Sequence, residues 1–189
     1  MVRVREATAA DVEAIAAIGT VGFARVHEHL LGVAATRAVI DQTYSRDAVT
    51  ESVARCAAAG EAHFLVAERD GRVVGYLHYD CFASEPELHR IYLAQEEIGR
   101  GTGSRLMTEH HARLGPDATY VVMVAVANET ACRFYERNGL VDERRIPDGK
   151  AFYRDSMKVR FPPNAPPVPA VVMRRVGGVR PASGTELPM

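Results

Sequence analysis

The sequence predicts one mixed α/β domain, and three observations carry that prediction. Strand-like apolar runs alternate with longer stretches of helical character. Asp70-Gly71 lies between two such runs, a strong signal for a hairpin turn. From Leu88 to Leu106, LHRIYLAQEEIGRGTGSRL, a strand passes through three alternate glycines into a helix.

Taken in order, a strand is expected at Val2 to Glu6. A helix then runs from about Asp11 to Val26, with Val12, Ile15, Ala16 and Ile18 as a partial apolar stripe. Further helical regions cover Ala34 to Thr43 and Ala48 to Ala59. Strands follow near His63 to Glu68 and Val73 to Phe82, turning at Asp70-Gly71. The strand Glu87 to Leu93 leads into the glycine loop and a helix reaching about Leu114. After it come the strand Tyr120 to Ala127, the helix Glu129 to Asn138, and expected closing strands at Leu140 to Arg145 and Ala151 to Phe161. Beyond Phe161 the composition changes, since seven of the ten prolines lie in Pro162 to Met189. That places a domain at residues 1–161 and a Pro-rich tail at 162–189, loosely ordered with at most a short strand at Ala170 to Val176. The tail is expected to pack on the domain or on a second subunit, which would make a homodimer.

The glycine loop is the first chemical clue. A turn of this kind ahead of a helix leaves backbone N–H groups unpaired at the positive end of the helix dipole, a cradle for a phosphate. Gly99, Gly101 and Gly103 remove the Cβ atoms that would hold an anion away, and Arg100 adds a charge. A P-loop is excluded because no Gly-Lys-Ser/Thr follows. A Rossmann turn fits poorly, because Ala94 to Ile98 intervenes after the strand and Leu106 stands where the third glycine would fall.

The second clue is Asn128 to Leu140, NETACRFYERNGL. Asn128 is placed to cap a helix that carries Phe134 and Tyr135 and stops at Gly139. The two segments, in this order, resemble the acetyl-CoA-binding motifs of the GCN5-related N-acetyltransferases, the GNAT family. The family's Gln/Arg-x-x-Gly-x-Gly/Ala falls on Ile98, Gly101 and Gly103, with Ile98 departing from the pattern. Its Asn-x-x-Ala-x-x-Phe-Tyr-x-x-x-Gly-Phe falls on Asn128, Ala131, Phe134, Tyr135 and Gly139, with Leu140 in place of Phe. The likeness extends from Val2 to about Lys158. It is loosely closest to the family's small-amine and polyamine enzymes, through ELHRIYL and YSRDAVTESV.

The resemblance implies a mostly antiparallel sheet flanked by helices, with splayed parallel central strands. It also implies transfer of an acetyl group from acetyl-CoA to a primary amine, with no metal. Cofactor contacts fall on Ile91, Tyr92 and Leu93, on Ile98, Gly99, Arg100, Gly101, Thr102, Gly103 and Ser104, and on Asn128, Phe134 and Tyr135. The acceptor amine must lose its proton before it can attack; for a pKa of ~10.4 this costs about 4 to 5 kcal/mol at pH 7. Glu87 matches the family's catalytic glutamate and is the first candidate base, with His89 or a water chain as alternatives. Glu85, His78, His27 and His29 are further candidates for the acceptor pocket, unranked. Tyr135 resembles the acid that protonates the departing thiolate. Cys132 would be needed only for a ping-pong route. A domain that binds acyl-CoA with little turnover, as a sensor or partner-binding unit, is the alternative that Ile98 favours.

Composition bounds the rest. With 189 residues, 47% of them hydrophobic, and a formal charge of -1, the chain can bury a sizeable core and has no general attraction to nucleic acid or anionic membrane. Its acceptor is expected to be a small-molecule amine or a peptide. The longest apolar run, Val121 to Ala127, is far too short to span a bilayer, and no signal-peptide core is evident, so a cytoplasmic address is expected. Cys56, Cys81 and Cys132 are odd in number and are read as reduced thiols.

Overall fold

Seven strands form one sheet in the order β1-β2-β3-β4-β5-β7-β6, and every neighbouring pair is antiparallel except β4 with β5. The computed structural model describes residues 1–82 and 85–177. Its strands are β1 (Arg3–Glu6), β2 (His63–Arg69), β3 (Arg72–Asp80), β4 (Glu87–Leu93), β5 (Tyr120–Ala125), β6 (Leu140–Ile146) and β7 (Ala170–Arg175). The helices are α1 (Val12–Leu31), α2 (Val33–Thr43), α3 (Arg46–Ala58), α4 (Thr102–Leu114), α5 (Glu129–Arg137) and α6 (Lys150–Met157).

Sequence patterning explains most of this. Asp70 and Gly71 both take positive φ, as a tight hairpin between β2 and β3 requires. α1 runs beyond the expected stop at Val26 because nothing breaks it before Gly32, whose φ of 77° ends it while its N–H bonds to the Glu28 carbonyl. One face of the sheet packs Phe64, Val66 and Tyr76 against Phe23, Val39 and Val53 of α1, α2 and α3. The other packs Leu65, Leu77, Leu88 and Tyr120 against Leu106 and Met107 of α4 and Tyr135 of α5.

One expected strand is a helix. Residues 151–161 do not close the sheet: Lys150–Met157 forms α6, and the place beside β5 goes to β7. The physical reason is burial. A strand between β5 and β6 is covered on both faces, which suits AVVM at Ala170–Met173, all at most 2% exposed, and not a segment carrying Lys150, Arg154 and Asp155. The boundary expected at residue 161 therefore falls inside the domain. Residues 178–189 of the expected tail lie outside the described residues.

α1 approaches the sheet closely at two glycines. A Cβ at Gly19 would stand 2.4 Å from Tyr44 Cδ1 and 2.6 Å from Tyr76 Oη, and one at Gly22 would stand 2.4 Å from Tyr92 Cδ1. Gly19→Ala is therefore expected to destabilise the fold by about 1 to 3 kcal/mol, although alanine is the better helix former. Urea unfolding measures this, and an unchanged or raised midpoint would show that the helix stands off the tyrosines.

Candidate active site

The site begins at the β4–β5 junction. The two parallel strands keep one register pair, Glu87 with Val121, where Val121 N–H donates to the Pro86 carbonyl at 3.0 Å; beyond it they diverge. Ala94 N–H donates back to Val74 of β3. Strand alternation then turns the N–H groups of Ile91 and Leu93 toward the open side, away from β3. The wedge between β4 and β5 is part of a cavity of about 700 Å³.

The glycine loop forms the mouth of that cavity. Gly99 and Gly101 sit at φ of 80° and 79°, and the first turn of α4 follows at once, with Arg105 N–H closing onto the Gly101 carbonyl at 3.0 Å. The N–H groups of Thr102, Gly103 and Ser104 stay outside the helix ladder, as a phosphate site needs. A buried fork holds this loop. Glu97 accepts from Arg69 Nε and Nη2, each at 2.9 Å, and from Thr102 Oγ1 at 2.5 Å, and these partners hold its carboxyl below the usual range. At the far wall Asn128 caps α5 by accepting from Ala131 N–H at 3.2 Å.

Most of the expected cofactor residues line this one cavity: Ile91, Tyr92, Leu93, Ile98, Gly99, Gly101, Gly103, Ser104, Asn128, Phe134 and Tyr135. Arg100 and Thr102 are not among its lining residues. The Thr102 hydroxyl is committed to Glu97, and the largely exposed Arg100 side chain comes no nearer than 3.9 Å to the same carboxylate. Burial pushes the Tyr135 phenol well above its ordinary pKa. Cys132 is not a lining residue either; it packs beside the core, and burial raises its thiol pKa.

The closed end of the wedge is a buried charge cluster created by a β-bulge. His78 faces Arg90 and Tyr79 faces Leu88, so His89 is the extra residue, and Glu87, His89 and Arg90 turn to the same side of the sheet as His78 and Asp80. His89 Nε2 lies 2.9 Å from Asp80 Oδ1 and its Nδ1 3.3 Å from Glu87 Oε1, close contacts but bent ones. Burial alone would lower the ring's pKa. Asp80 first, then Glu87, outweigh burial and hold it at about 9. Burial pushes His78 down to about 3.

His78, Asp80 and His89 come within 4.8 Å of one another, which raises the question of a cation. The donor set does not fit one. Arg90 approaches His78 Nδ1 at 3.3 and 3.4 Å, so that nitrogen accepts and the ring proton sits on Nε2, leaving no lone pair there for a metal.

Of the histidines considered for the acceptor side, His27, His29 and His89 line the cavity, whereas His78 lies behind it. Glu87 is 5% exposed and stands behind His89; Glu85 is turned to Arg174 at 2.5 Å. Sequence reasoning missed Tyr153, Met123 and Asp80. Tyr153 is hidden because its segment carries a strand-like pattern, and Asp80 because it meets His89 only through the pairing of β3 with β4.

Fold and cavity together define an α/β protein with a wedge between two parallel strands that opens onto a glycine loop and the first turn of a helix. A model of the acetyltransferase (GNAT) domain matches residues 60–141. A protein of Methanocaldococcus jannaschii, named as an uncharacterized N-acetyltransferase, is 32% identical over 109 residues, 54% of this chain and 68% of that protein. Among solved structures, PaiA N-acetyltransferase from Thermoplasma acidophilum in complex with coenzyme A superposes with a TM-score of 0.71 at 17% identity, covering 93% and 99% of the two chains. YncA of Salmonella typhimurium, a putative acetyltransferase with acetyl-CoA, gives 0.65 at 18%, covering 100% and 98%. The chain belongs to the GCN5-related N-acetyltransferase family, whose members are acetyl-CoA-dependent N-acyltransferases. Among the described residues no helix is long and apolar enough to cross a membrane.

Proposed function

We propose that this chain transfers the acetyl group of acetyl-CoA to a primary amine by direct attack. The observation that carries the reading is that one cavity joins the glycine-loop donors, the open edge of β4 and Tyr135. The pyrophosphate takes the N–H groups of Gly103 and its neighbours, and the pantetheine arm runs along β4 past Asn128. The thioester carbonyl accepts from Ile91 or Leu93 N–H, which stabilises the charge that develops on oxygen.

The neutral amine nitrogen then bonds to the thioester carbon. As the C–S bond breaks, the amine's proton passes through water to Glu87, and the thiolate takes a proton from Tyr135. Burial keeps the phenol protonated at neutral pH and also makes it a weaker acid, so its donation rests on its position on the cavity wall. Direct attack needs no enzyme-bound acyl group, in keeping with Cys132 lying off the cavity wall.

Tyr135→Phe removes only the hydroxyl and leaves the ring in the core. It is expected to lower kcat by about 10²-fold or more with acetyl-CoA affinity unchanged, and Glu87→Gln to lower kcat as well. Initial-rate lines at varied amine and acetyl-CoA should intersect. Full turnover in Tyr135→Phe would reduce the phenol to a packing residue, and parallel lines would put an acyl-enzyme in place of direct attack.

A further inference from the structure

The closed end of the wedge indicates what kind of amine fits. Its walls are His89 and Arg90 from β4, Met123 from β5, His27 from α1 and Tyr153 from α6. His27 Nδ1 lies 3.1 Å from the Phe23 carbonyl, which can only accept, so Nδ1 carries the proton and Nε2 accepts from Tyr153 Oη at 3.2 Å. Burial lowers His27 to about 4, so the pair is uncharged at neutral pH. This end of the cavity offers ring faces, a thioether and paired polar groups.

The carboxylates that could hold a second ammonium are all engaged or elsewhere. Among the described residues lining the cavity the single acid is Glu97, locked in its fork with Arg69 and Thr102. Asp80 and Glu87 flank the closed end, but both are matched to the His89 ring, with the Arg90 guanidinium beside them. Glu28 and Asp41, which could otherwise attract a polycation, line a separate groove between α1 and α2. The cavity wall carries Arg25, Arg90 and Arg137 instead.

We propose that the acceptor is a monoamine on an aromatic or apolar body, and that polyamines are disfavoured. This rests on the cavity being the acetyl-transfer site. A second ammonium carried into the wedge would lose its water without gaining an anion and would face Arg90, a like-charge juxtaposition that disfavours binding strongly. An aromatic body gains contact with the Tyr153 ring at no such cost.

The test follows thiol release from acetyl-CoA by the full chain with 2-phenylethylamine, putrescine and spermidine. The kcat/KM for 2-phenylethylamine is expected to exceed that of either polyamine by about 30-fold or more, in line with the several kcal/mol ascribed to like-charge contacts. Tyr153→Ala should raise KM for 2-phenylethylamine about ten-fold with kcat little changed, and Tyr153→Phe, which keeps the ring, should restore most of it. Equal or better use of spermidine or putrescine would overturn the proposal. So would failure to acetylate 2-phenylethylamine while acetyl-CoA binds by calorimetry, or a Tyr153→Ala variant with unchanged KM. A chain that does not bind acetyl-CoA at all overturns the transfer reading itself, and this proposal with it.

Discussion

Replacing Gly103 by valine is expected to weaken acetyl-CoA binding at least about a hundred-fold, roughly 2.7 kcal/mol, in a chain that stays folded. A Cβ at Gly103 would stand 3.2 Å from Phe134 Cε2 and 3.4 Å from its Cζ, and both residues line the mouth of the cavity. The added branches therefore displace the ring into the ligand's path and cover the N–H groups of the first turn of α4. The fold is affected much less, because a β-branched residue in a helix costs under about 1 kcal/mol. Gly103 is also a cleaner probe than Gly101, whose φ of 79° would add backbone strain to the result. Titration calorimetry beside circular dichroism reads both quantities. Wild-type affinity in a folded variant would remove the glycine loop as the phosphate cradle.

The second large effect is a loss of stability on mild acidification. His27, His63, His78 and His110 are all buried, and burial drives each below its ordinary pKa, to about 4, 4 and 3 for the first three and well down for His110. A histidine depressed in the fold is protonated more readily in the unfolded chain. Its contribution is complete above pH 6.5 and is lost as pH falls below it, at up to about 1.4 kcal/mol per pH unit for each ring. Four such rings approach the whole stability of an ordinary domain by pH 5. His89 acts in the opposite direction: held at about 9, it stabilises fully below pH 6.5 and loses that contribution as pH rises through 9. Thermal melting from pH 4.5 to 9.5 should therefore show a maximum close to neutrality with a steep acid side. The slope should relax in a His63→Gln/His110→Gln double variant, which removes the buried pair whose Nε2 and Nδ1 lie 2.8 Å apart. A melting temperature that stays level between pH 5 and 7 would mean these rings are hydrated or charged in the native protein.

Local chemistry made much of this legible in the sequence. The Asp70-Gly71 hairpin, the glycine loop and the Asn128 cap each depend on residues close together in the chain, and each formed where expected. What stayed hidden depends on distant contacts. Residues 151–161 and 170–175 competed for one place in the sheet, and the outcome turned on two-sided burial, which periodicity within either segment does not report. The closed end of the wedge was half visible. Glu87 and His89 share a face under plain alternation, but Arg90 joins them only through the bulge, and Asp80 and Tyr153 arrive from elsewhere in the chain.

The position of β7 has a consequence for synthesis of the chain. β5, one wall of the wedge, is flanked on its far side by a strand made about 50 residues later, since Val121 pairs with Arg174 and Ala125 with Ala170. Until then β5 offers a fully apolar open edge, the kind of strand that recruits other chains. The half-domain from β1 to β4 can collapse early around short-range hairpins, whereas the cofactor wedge gains its second rigid wall only when translation has passed Arg175. Folding of the catalytic half is thus delayed until β7 has been made, and a nascent chain stalled before Ala170 would present that edge to chaperones or to its neighbours on the same message.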